Sequence, residues 1–242
     1  MTQKYHVKSH VKKGIIREYV EAIVVAVLIA LCLRSFVIEA FKIPSGSMIP
    51  TLKIGDHIFV NKFIYGLRIP YTKIRFFQFR TPKRGEVIVF IFPNDNSKDY
   101  IKRVVGTPGD TLEMKQGTLF INGEPVSKVV QAERAILKDI ENQEALNLYK
   151  ETTGQTTHYT LYYTPSYKEP EDFGPITIPP NKLFVMGDNR DNSSDSRAWR
   201  FVPMENIKGK ALFVWLSLNT EHTFSFLRLP TIRWKRFGKI IR

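Results

Sequence analysis

The sequence has a single cysteine, Cys32, among 242 residues, so no disulfide can form within the chain. Acidic residues are also few: 23 Asp and Glu stand against 36 Lys and Arg, for a formal net charge of +13. Such an excess favours contact with nucleic acid or with anionic lipid, and the position of the charges decides between them. Internal repeats and low-complexity runs are absent, and the hydrophobic content of 43% is ordinary for a chain that folds around a core.

Only one long hydrophobic run is present, the twelve apolar residues from Ala22 to Leu33. Extended from Ile15 to Ile38, the segment is long enough to span a bilayer. Five basic residues precede any acidic one: Lys4, Lys8, Lys12, Lys13 and Arg17. The positive-inside rule therefore predicts a cytoplasmic segment at 1–17, a single-pass transmembrane signal-anchor at 18–38, and an exported remainder. The location expected is the inner (cytoplasmic) membrane.

Three other interpretations of this segment are weaker. A cleaved signal peptide needs small residues at −3 and −1 of its cleavage site, whereas the nearest candidate, Ile38-Glu39-Ala40, has Ile at −3. A lipoprotein signal needs a small residue before Cys32, where Leu31 stands. A buried core helix would leave the one-sided charge unexplained.

Strand patterns dominate the exported part. Strands are predicted at 58–63, 86–92, 99–105, 158–163, 183–186 and, as the last, 209–218, with a hairpin at 119–125 that turns at Asn122-Gly123. The stretch 131–150 is predicted as a short amphipathic helix, and the proline-rich stretch 165–180 as a loop.

Two stretches combine aromatic and basic residues. Residues 64–84 form either a ribbon that offers its rings to a membrane interface or a loop packed on the domain. The rings concerned are Tyr65, Tyr71, Phe76, Phe77 and Phe79. Residues 228–242 form a basic amphipathic tail. Because both stretches and the basic N-terminus are predicted near a membrane surface, anionic lipid is the expected partner of the charge, and nucleic acid is not.

Ser47 is a candidate nucleophile, because Gly46 and the flanking Pro44 and Pro50 can hold its hydroxyl in one exposed pose. A serine hydroxyl needs a base. Five histidines are present, two of them in the predicted cytoplasmic segment, and the Gly-x-Ser-x-Gly elbow of hydrolases is missing. Lys102 is the other candidate base, since alternation places it on one strand face with Tyr100 and Val104. Burial there would lower the pKa of its amine.

Negative charge that develops on a substrate carbonyl needs hydrogen-bond donors. The backbone N–H of Ser47 and the hydroxyl of Ser45 are the candidates. The motif at 187–197 supplies Asp and Asn residues that fix a tight loop, and in it Asp195 and Arg197 can form an ion pair.

These residues resemble the bacterial type I signal peptidases, membrane-anchored serine proteases that remove signal peptides. The resemblance rests on four blocks in the order of the family: PSGSMIPTL at 44–52, RGEVIVF at 84–90, YIKRVVGTPGD at 100–110 and GDNRDNSSDSR at 187–197. It covers most of residues 20–215. The disulfide and the second membrane span of some members have no counterpart here, and 131–150 follows no family pattern.

The resemblance implies a Ser/Lys dyad of Ser47 and Lys102, an oxyanion hole of Ser45 and Ser47, and no cofactor or metal. It assigns supporting roles to Ser193, beside the lysine amine, and to the pair Asp195 and Arg197. The further residues implied are Phe90 and Tyr100, which bury the lysine, and Ile43, Leu52, Ile58 and Ile101, which line shallow substrate pockets.

The fold implied is mostly β, an antiparallel catalytic domain at 39–110 and 183–227 with an inserted β-rich region at 111–182. The function implied is cleavage of exported preproteins after small residues at −3 and −1. Three other functions are compatible with parts of the sequence. A self-cleaving repressor would lack a membrane span, and a eukaryotic-type signal peptidase would have histidine in place of Lys102. The third is a non-enzymatic membrane-anchored protein that binds lipid or nucleic acid.

Overall fold

The computed structural model describes residues 14–69, 72–137, 140, 142–168, 171–224 and 229–242. Its first element is helix α1, Ile15–Phe36, and none of the apolar window of this helix is buried within the protein. A helix that is apolar all round and uncovered needs a nonpolar surrounding, as a membrane span has. The helix confirms the predicted apolar element, although it ends before Ile38, which begins the first strand.

Short strands and one further helix make up most of the remaining described chain. In chain order they are β1 (Ile38–Lys42), β2 (Asp56–Asn61), β3 (Gly66–Arg68), β4 (Arg75–Gln78), β5 (Val87–Ile91), β6 (Asp99–Gly106), β7 (Thr111–Lys115), β8 (Thr118–Ile121), β9 (Glu124–Pro125), β10 (Ser127–Val130), β11 (Leu146–Thr153), β12 (Thr156–Tyr163), β13 (Phe173–Thr177), β14 (Lys182–Met186), α2 (Ser196–Trp199), β15 (Val202–Pro203), β16 (Ile207–Phe224) and β17 (Leu229–Ile232).

The main sheet has eight strands in the order β1-β2-β16-β5-β6-β14-β15, with β17 paired to β16. Its ladders are antiparallel, as predicted. β2 alternates buried and half-buried residues, whereas β5 is buried almost throughout, because residues pack on both of its faces. The register of β5 and β6 sets Ile88 opposite Lys102 and Phe90 opposite Tyr100.

The strands between 111 and 177 form two smaller sheets, β10-β11-β12 and β13-β7-β8-β9. The predicted hairpin is present: β8 and β9 pair across Asn122 and Gly123, which have φ of 55° and 84°. Positive φ at both positions is the geometry that Asn-Gly favours in a two-residue turn.

Within the aromatic stretch, β3 and β4 pair as a two-stranded ribbon, and the contact of this ribbon with a membrane stays a prediction. Phe76 and Phe77 are half or more exposed on it. Tyr65, in contrast, is fully buried, and its hydroxyl donates to Glu86 Oε2 at 3.0 Å. Tyr65 is therefore unavailable to a membrane interface, and Tyr71 lies outside the described residues.

The predicted helix at 131–150 is wrong for the described part of that stretch. Two short 3₁₀ turns, Ala135–Leu137 and Gln143–Ala145, are followed by β11. The apolar residues of this stretch belong instead to a small hydrophobic cluster. In it, Leu146 and Leu148 lie opposite Tyr163 and Leu161 of β12. Strand pairing here overrides the local pattern.

Two further corrections concern strands. The predicted loop at 165–180 contains β13, an edge strand with a bulge between Phe173 and Ile176, where a proline is tolerated. The strand predicted as the last, 209–218, lies within the longer β16, and β17 follows it.

The C-terminal residues are part of the main domain. Arg236 is buried and donates through Nε to Asp56 Oδ1 at 2.9 Å, and Ile241 lies in the main hydrophobic core. The rings of Trp234 and Phe237, by contrast, are 72% and 67% exposed. The tail is thus anchored by some of its side chains and presents others to the surroundings.

Candidate active site

The loop 43–55 carries Ser47 between the edge strand β1 and its neighbour β2. Leu52 N–H donates to Met48 O at 2.9 Å, and Ile49 N–H to Gly46 O at 3.1 Å, so the loop is a tight turn. The Ser47 residue is 9% exposed, and it lies at the surface end of the core formed by Met48 and Leu52.

Lys102 projects from β6 toward this loop. Its Nζ lies 2.7 Å from Ser47 Oγ, although 55 residues separate the two in the chain, and 3.0 Å from Ile101 O. Lys102 is only 4% exposed. Burial lowers the pKa of the amine to about 8, against the opposing effect of the carboxylates of Asp195 and Asp188. A far larger fraction of the amine is therefore neutral at pH 7 than in an exposed lysine.

The residues predicted to bury Lys102 do surround its strand. Tyr100 lies on the same side, with its ring centroid 5.3 Å from Lys102 Nζ. Tyr100 also stacks on Phe92 at 4.3 Å, and Trp199 packs against Phe90 at 5.9 Å. This aromatic group reduces access of water to the amine, which is why its charged form is disfavoured.

The predicted oxyanion donors are adjacent to the nucleophile. Ser45 Oγ lies 3.5 Å from Ser47 Oγ. Within the described part of the chain, the backbone N–H of Ser47 donates to no acceptor. Both groups are thus available to an oxygen that approaches beside Ser47 Oγ.

Gly187 brings the 187–197 loop against the nucleophile. A Cβ at this position would lie 2.4 Å from Ser47 O and 2.3 Å from Ser193 Oγ, so only glycine fits. Ser193 Oγ is buried here and, among the described residues, makes no hydrogen bond to Lys102 Nζ. The role predicted for Ser193 therefore stays a prediction.

Asp195 and Arg197 form the expected ion pair. Arg197 Nε and Nη2 donate to the two carboxylate oxygens of Asp195, each at 2.8 Å, and Gly187 N–H donates to Oδ2 at 3.0 Å. Burial raises the pKa of Asp195, but the hydrogen bonds and charge of Arg197 outweigh it, so the net shift is downward. Asp195 therefore stays ionised and holds the loop in place beside Lys102.

A second buried ion pair, between Arg103 and Asp188, supports the nucleophile loop. Arg103 donates through Nε and Nη2 to Asp188, each at 2.7 Å, and Thr51 Oγ1 donates to the same carboxylate at 2.5 Å. Asn189 N–H donates to Ser47 O and Asn189 Nδ2 to Gly46 O, both at 3.1 Å. Arg103 follows Lys102 in the block 100–110, and Asp188 and Asn189 lie in the block 187–197. Their place in these two blocks is the sequence signal that could have indicated a role at the site.

The inserted region contributes a third buried pair. Arg190 donates through Nη1 to Glu151 Oε2 at 2.8 Å, and both side chains are essentially inaccessible. His158 Nε2 lies 3.6 Å from Glu151 Oε1 and 3.9 Å from Asp188 Oδ1. Burial lowers the pKa of His158 to about 4, so its ring is neutral. No sequence signal pointed to Glu151, because it lies in a strand 39 residues from its partner.

The two histidines whose side chains the structure describes are not placed as bases. Neither forms a hydrogen bond with Ser47: His57 contacts Gly55 O, and His158 lies in the buried cluster. Among the described residues no group of His, Cys, Asp or Glu is arranged to hold a metal ion.

The four predicted pocket residues lie together in the main core cluster. Leu52 and Ile58 are fully buried, and Ile43 and Ile101 are 2% and 8% exposed. They can therefore form a floor beneath a substrate but leave little free depth.

Comparison with known proteins gives a consistent result. The profile of the family described as "Signal peptidase, peptidase S26" matches residues 16–216. A signal peptidase I from Pseudomonas aeruginosa is 42% identical over 218 residues, which are 85% of this chain and 74% of that protein. A signal peptidase I from Pseudomonas fluorescens is 43% identical over 237 residues, 92% of this chain and 81% of that protein.

One solved structure is also similar. A crystal structure of a signal peptidase I from Enterococcus faecalis V583 covers 54% of this chain and 97% of its own, with 28% identity and a TM-score of 0.34. The family assignment rests on the sequence relatives and the profile.

Proposed function

The chain belongs to the bacterial type I signal peptidases of peptidase family S26, and on that premise we propose that Ser47 is its nucleophile and Lys102 its general base. Its substrates are preproteins that carry signal peptides. The observation that supports the dyad most directly is the 2.7 Å separation of Lys102 Nζ and Ser47 Oγ at a lysine that is 4% exposed.

In the acylation step, neutral Lys102 Nζ takes the proton of Ser47 Oγ as that oxygen bonds to the scissile carbonyl carbon. The carbonyl oxygen becomes an oxyanion, which the N–H of Ser47 and the hydroxyl of Ser45 stabilise. When the C–N bond breaks, the Lys102 ammonium gives its proton to the leaving amine. The signal peptide is then esterified to Ser47, and the mature protein departs.

In the second half, Lys102 removes a proton from a water molecule as its oxygen attacks the ester. Collapse of the second tetrahedral intermediate breaks the bond to Ser47 Oγ, and Lys102 returns the proton to that oxygen. The roles of Asp195 and Asp188 are electrostatic and positional: they hold the loop 187–197 and the loop of Ser47 in register while they remain ionised.

The specificity proposed is for small residues at −1 and −3 of the scissile bond. An extended substrate can pair with an exposed strand edge and direct alternate side chains to one face. β1 is the edge strand next to the nucleophile loop. The closely packed floor of Ile43 and Ile101 leaves room for side chains such as alanine.

The pH dependence of cleavage tests the role of Lys102. Since only the neutral amine is a base, kcat/KM should rise with pH through a midpoint near 8, the pKa of the buried amine. The carboxylate of Asp195 raises that pKa, so Asp195→Asn should move the midpoint to lower pH. The measurement is the pH–rate profile of a model preprotein in detergent.

A matched variant separates this effect from a general change in charge. Asp172, an exposed carboxylate in the inserted region, should be replaceable by asparagine without moving the midpoint. Activity that falls steadily between pH 6 and 9 in a stably folded enzyme would contradict the lysine base.

The placement proposed is in the inner membrane, with residues 1–17 in the cytoplasm and the β domain on the exported side. The basic flank of α1 supports this orientation. Ser47 lies nine residues beyond Ile38, a span of at most about 32 Å even when fully extended, so the site stays near the bilayer. The exposed rings of the β3–β4 ribbon and of the tail would face anionic lipid.

Sidedness can be tested with single cysteines introduced on a Cys32→Ser background. A membrane-impermeant maleimide should label Lys115→Cys in intact spheroplasts, because Lys115 is exposed on the β domain. Ser9→Cys should react only after permeabilisation. Labelling in the reverse pattern would show the opposite orientation.

The non-enzymatic alternative suggested by the charge is not retained, because the family is one of peptidases. The self-cleaving repressor is likewise set aside, since the chain has an apolar helix at its N-terminal end and matches signal peptidase I over most of its length.

A further inference from the structure

A cavity of about 630 Å³ lies where the end of α1 meets the β domain. Its walls come from the end of α1, from Glu39 of β1, from Lys62 beyond β2, from described residues at the end of β3 and before β4, from the segment that links β5 to β6, and from the start of β16. The volume is in the range of cavities that bind small molecules. It is separate from the Ser47–Lys102 site: neither residue lines it.

Positive charge predominates in the lining of this cavity. Five cations line it: Arg34, Lys62, Arg68, Lys73 and Lys208. The two carboxylates, Glu39 and Asp99, are each already engaged, with Lys62 Nζ at 3.3 Å and with Lys208 Nζ at 2.6 Å. The remaining three cations give the cavity a net charge of +3, which is five minus two.

Two of these three cations are held by uncharged acceptors. Lys73 Nζ donates to Asn96 Oδ1 at 3.0 Å, and Arg68 donates to Thr72 O and, at 3.4 Å, to Ile207 O. Such bonds orient the cations without neutralising them. The cavity therefore contains oriented cationic side chains that are not paired with a carboxylate of its own lining.

A neighbouring guanidinium adds to the imbalance. Arg75 Nη2 also donates to Ile207 O, at 2.9 Å, so two half-buried guanidinium groups converge on one carbonyl oxygen. Arg75 Nε is buried and, among the described residues, has no hydrogen-bond partner. Burial lowers the pKa of Arg68 despite nearby carboxylates, and burial together with Arg68 lowers the pKa of Arg75. An anion in the cavity would relieve this repulsion.

We propose that this cavity binds the phosphate of an anionic phospholipid headgroup, with Lys73, Arg68 and Arg34 as its cationic ligands. Arginine and lysine side chains that converge on a pocket beside a membrane span are suited to a phosphodiester. Leu31 and Phe36 of α1 form an apolar wall of the same cavity, along which acyl chains can run. The choice of lipid over free phosphate rests on the proposed membrane placement of α1.

The test uses the full chain in a nonionic detergent. The midpoint of thermal unfolding is followed as short-chain phosphatidylglycerol, short-chain phosphatidylcholine or inorganic phosphate is added, since a ligand of the folded state raises that midpoint. We expect a saturable rise with phosphatidylglycerol and a much smaller one with phosphatidylcholine. Inorganic phosphate at the same concentration should produce little change.

Two variants locate the site. Lys73→Gln keeps a donor for Asn96 while it removes the charge, and it should raise the apparent Kd for phosphatidylglycerol about fivefold. The double variant Arg34→Gln/Lys73→Gln should raise it more than tenfold. Lys115→Gln is the control, because Lys115 is an exposed lysine of the inserted region, and its Kd should match that of the wild type.

Equal responses of Lys73→Gln and Lys115→Gln would overturn the proposal, as would equal responses to the two lipids. Saturation by inorganic phosphate with no further effect of phosphatidylglycerol would overturn the assignment to lipid. The measurement needs no substrate, so its failure would leave the Ser47–Lys102 dyad untouched. A dyad disproved by kinetics would likewise leave this result standing.

Discussion

Replacing Lys102 with alanine is expected to lower kcat for preprotein cleavage by at least about 10³-fold. The variant loses the only amine within hydrogen-bond distance of Ser47 Oγ in the described structure. Ser47→Ala should be equally inactive, and the double variant should lose little more, because the two residues act as one unit. Lys102→Arg should also be inactive, since guanidinium does not release its proton in this pH range.

Controls must separate lost chemistry from lost folding. Burial disfavours the Lys102 ammonium, so Lys102→Met should be at least as stable to heat at neutral pH as the wild type, yet inactive. Lys98 offers a matched position: it precedes the same strand, is 62% exposed and pairs with Asp95. Lys98→Ala should keep full activity. A Lys102→Ala enzyme with more than a tenth of wild-type kcat would disprove the assignment.

A bulky residue at −1 of the substrate is expected to lower kcat/KM by at least about 100-fold relative to alanine. The floor residues Ile43 and Ile101 are already packed in the core, so a phenylalanine side chain can enter only by displacing them. Cleavage rates of paired model preproteins with Ala or Phe at −1 measure the ratio. Similar rates for the two substrates would refute the shallow-pocket proposal.

The same kind of substrate comparison can be used to test a substitution in the pocket of the enzyme. Ile101→Ala should enlarge the site and raise the relative rate for valine at −1 or −3 by about tenfold. Ile121→Ala is a matched control, because Ile121 is also 8% exposed but lies in the core of the inserted region. It should lower stability without changing the ratio. An unchanged ratio in Ile101→Ala would remove this residue from the pocket.

Much of the secondary structure was predictable because its signals are local. The apolar composition of 15–38 predicted the element seen as α1, alternation predicted β12, and Asn122-Gly123 predicted a hairpin turn. The failures share a cause. At 131–150, helix-like spacing came from residues that join different sides of a small cluster, and at 173–177 an edge strand that contains Pro175 was concealed by the proline-rich stretch around it. Neither the cluster nor the partner strand can be recognised within one short window.

The candidate site likewise contains residues that sequence motifs identify and residues that only the tertiary structure brings to attention. Motif residues pointed to Ser47, Lys102, Asp195 and Arg197, and the structure brings these together. No sequence signal indicated the buried cluster of Glu151 and His158, because it forms only when the sheet of β11 and β12 packs against Arg190. The sequence predicted the tail as basic and amphipathic, but it could not show that Arg236 pairs with Asp56, 180 residues away in the chain.

By itself the sequence determined the chemical groups, the apolar helix, several of the strands and the family, because residue type, periodicity and motif order are properties of the chain read along its length. Tertiary structure decided which groups meet and in what surroundings. Burial of Lys102 among aromatic rings lowers its pKa to about 8, and the cations at the end of α1 form one cavity only once several separate segments converge. Both effects depend on distance and solvent exclusion, which the order of residues alone does not specify.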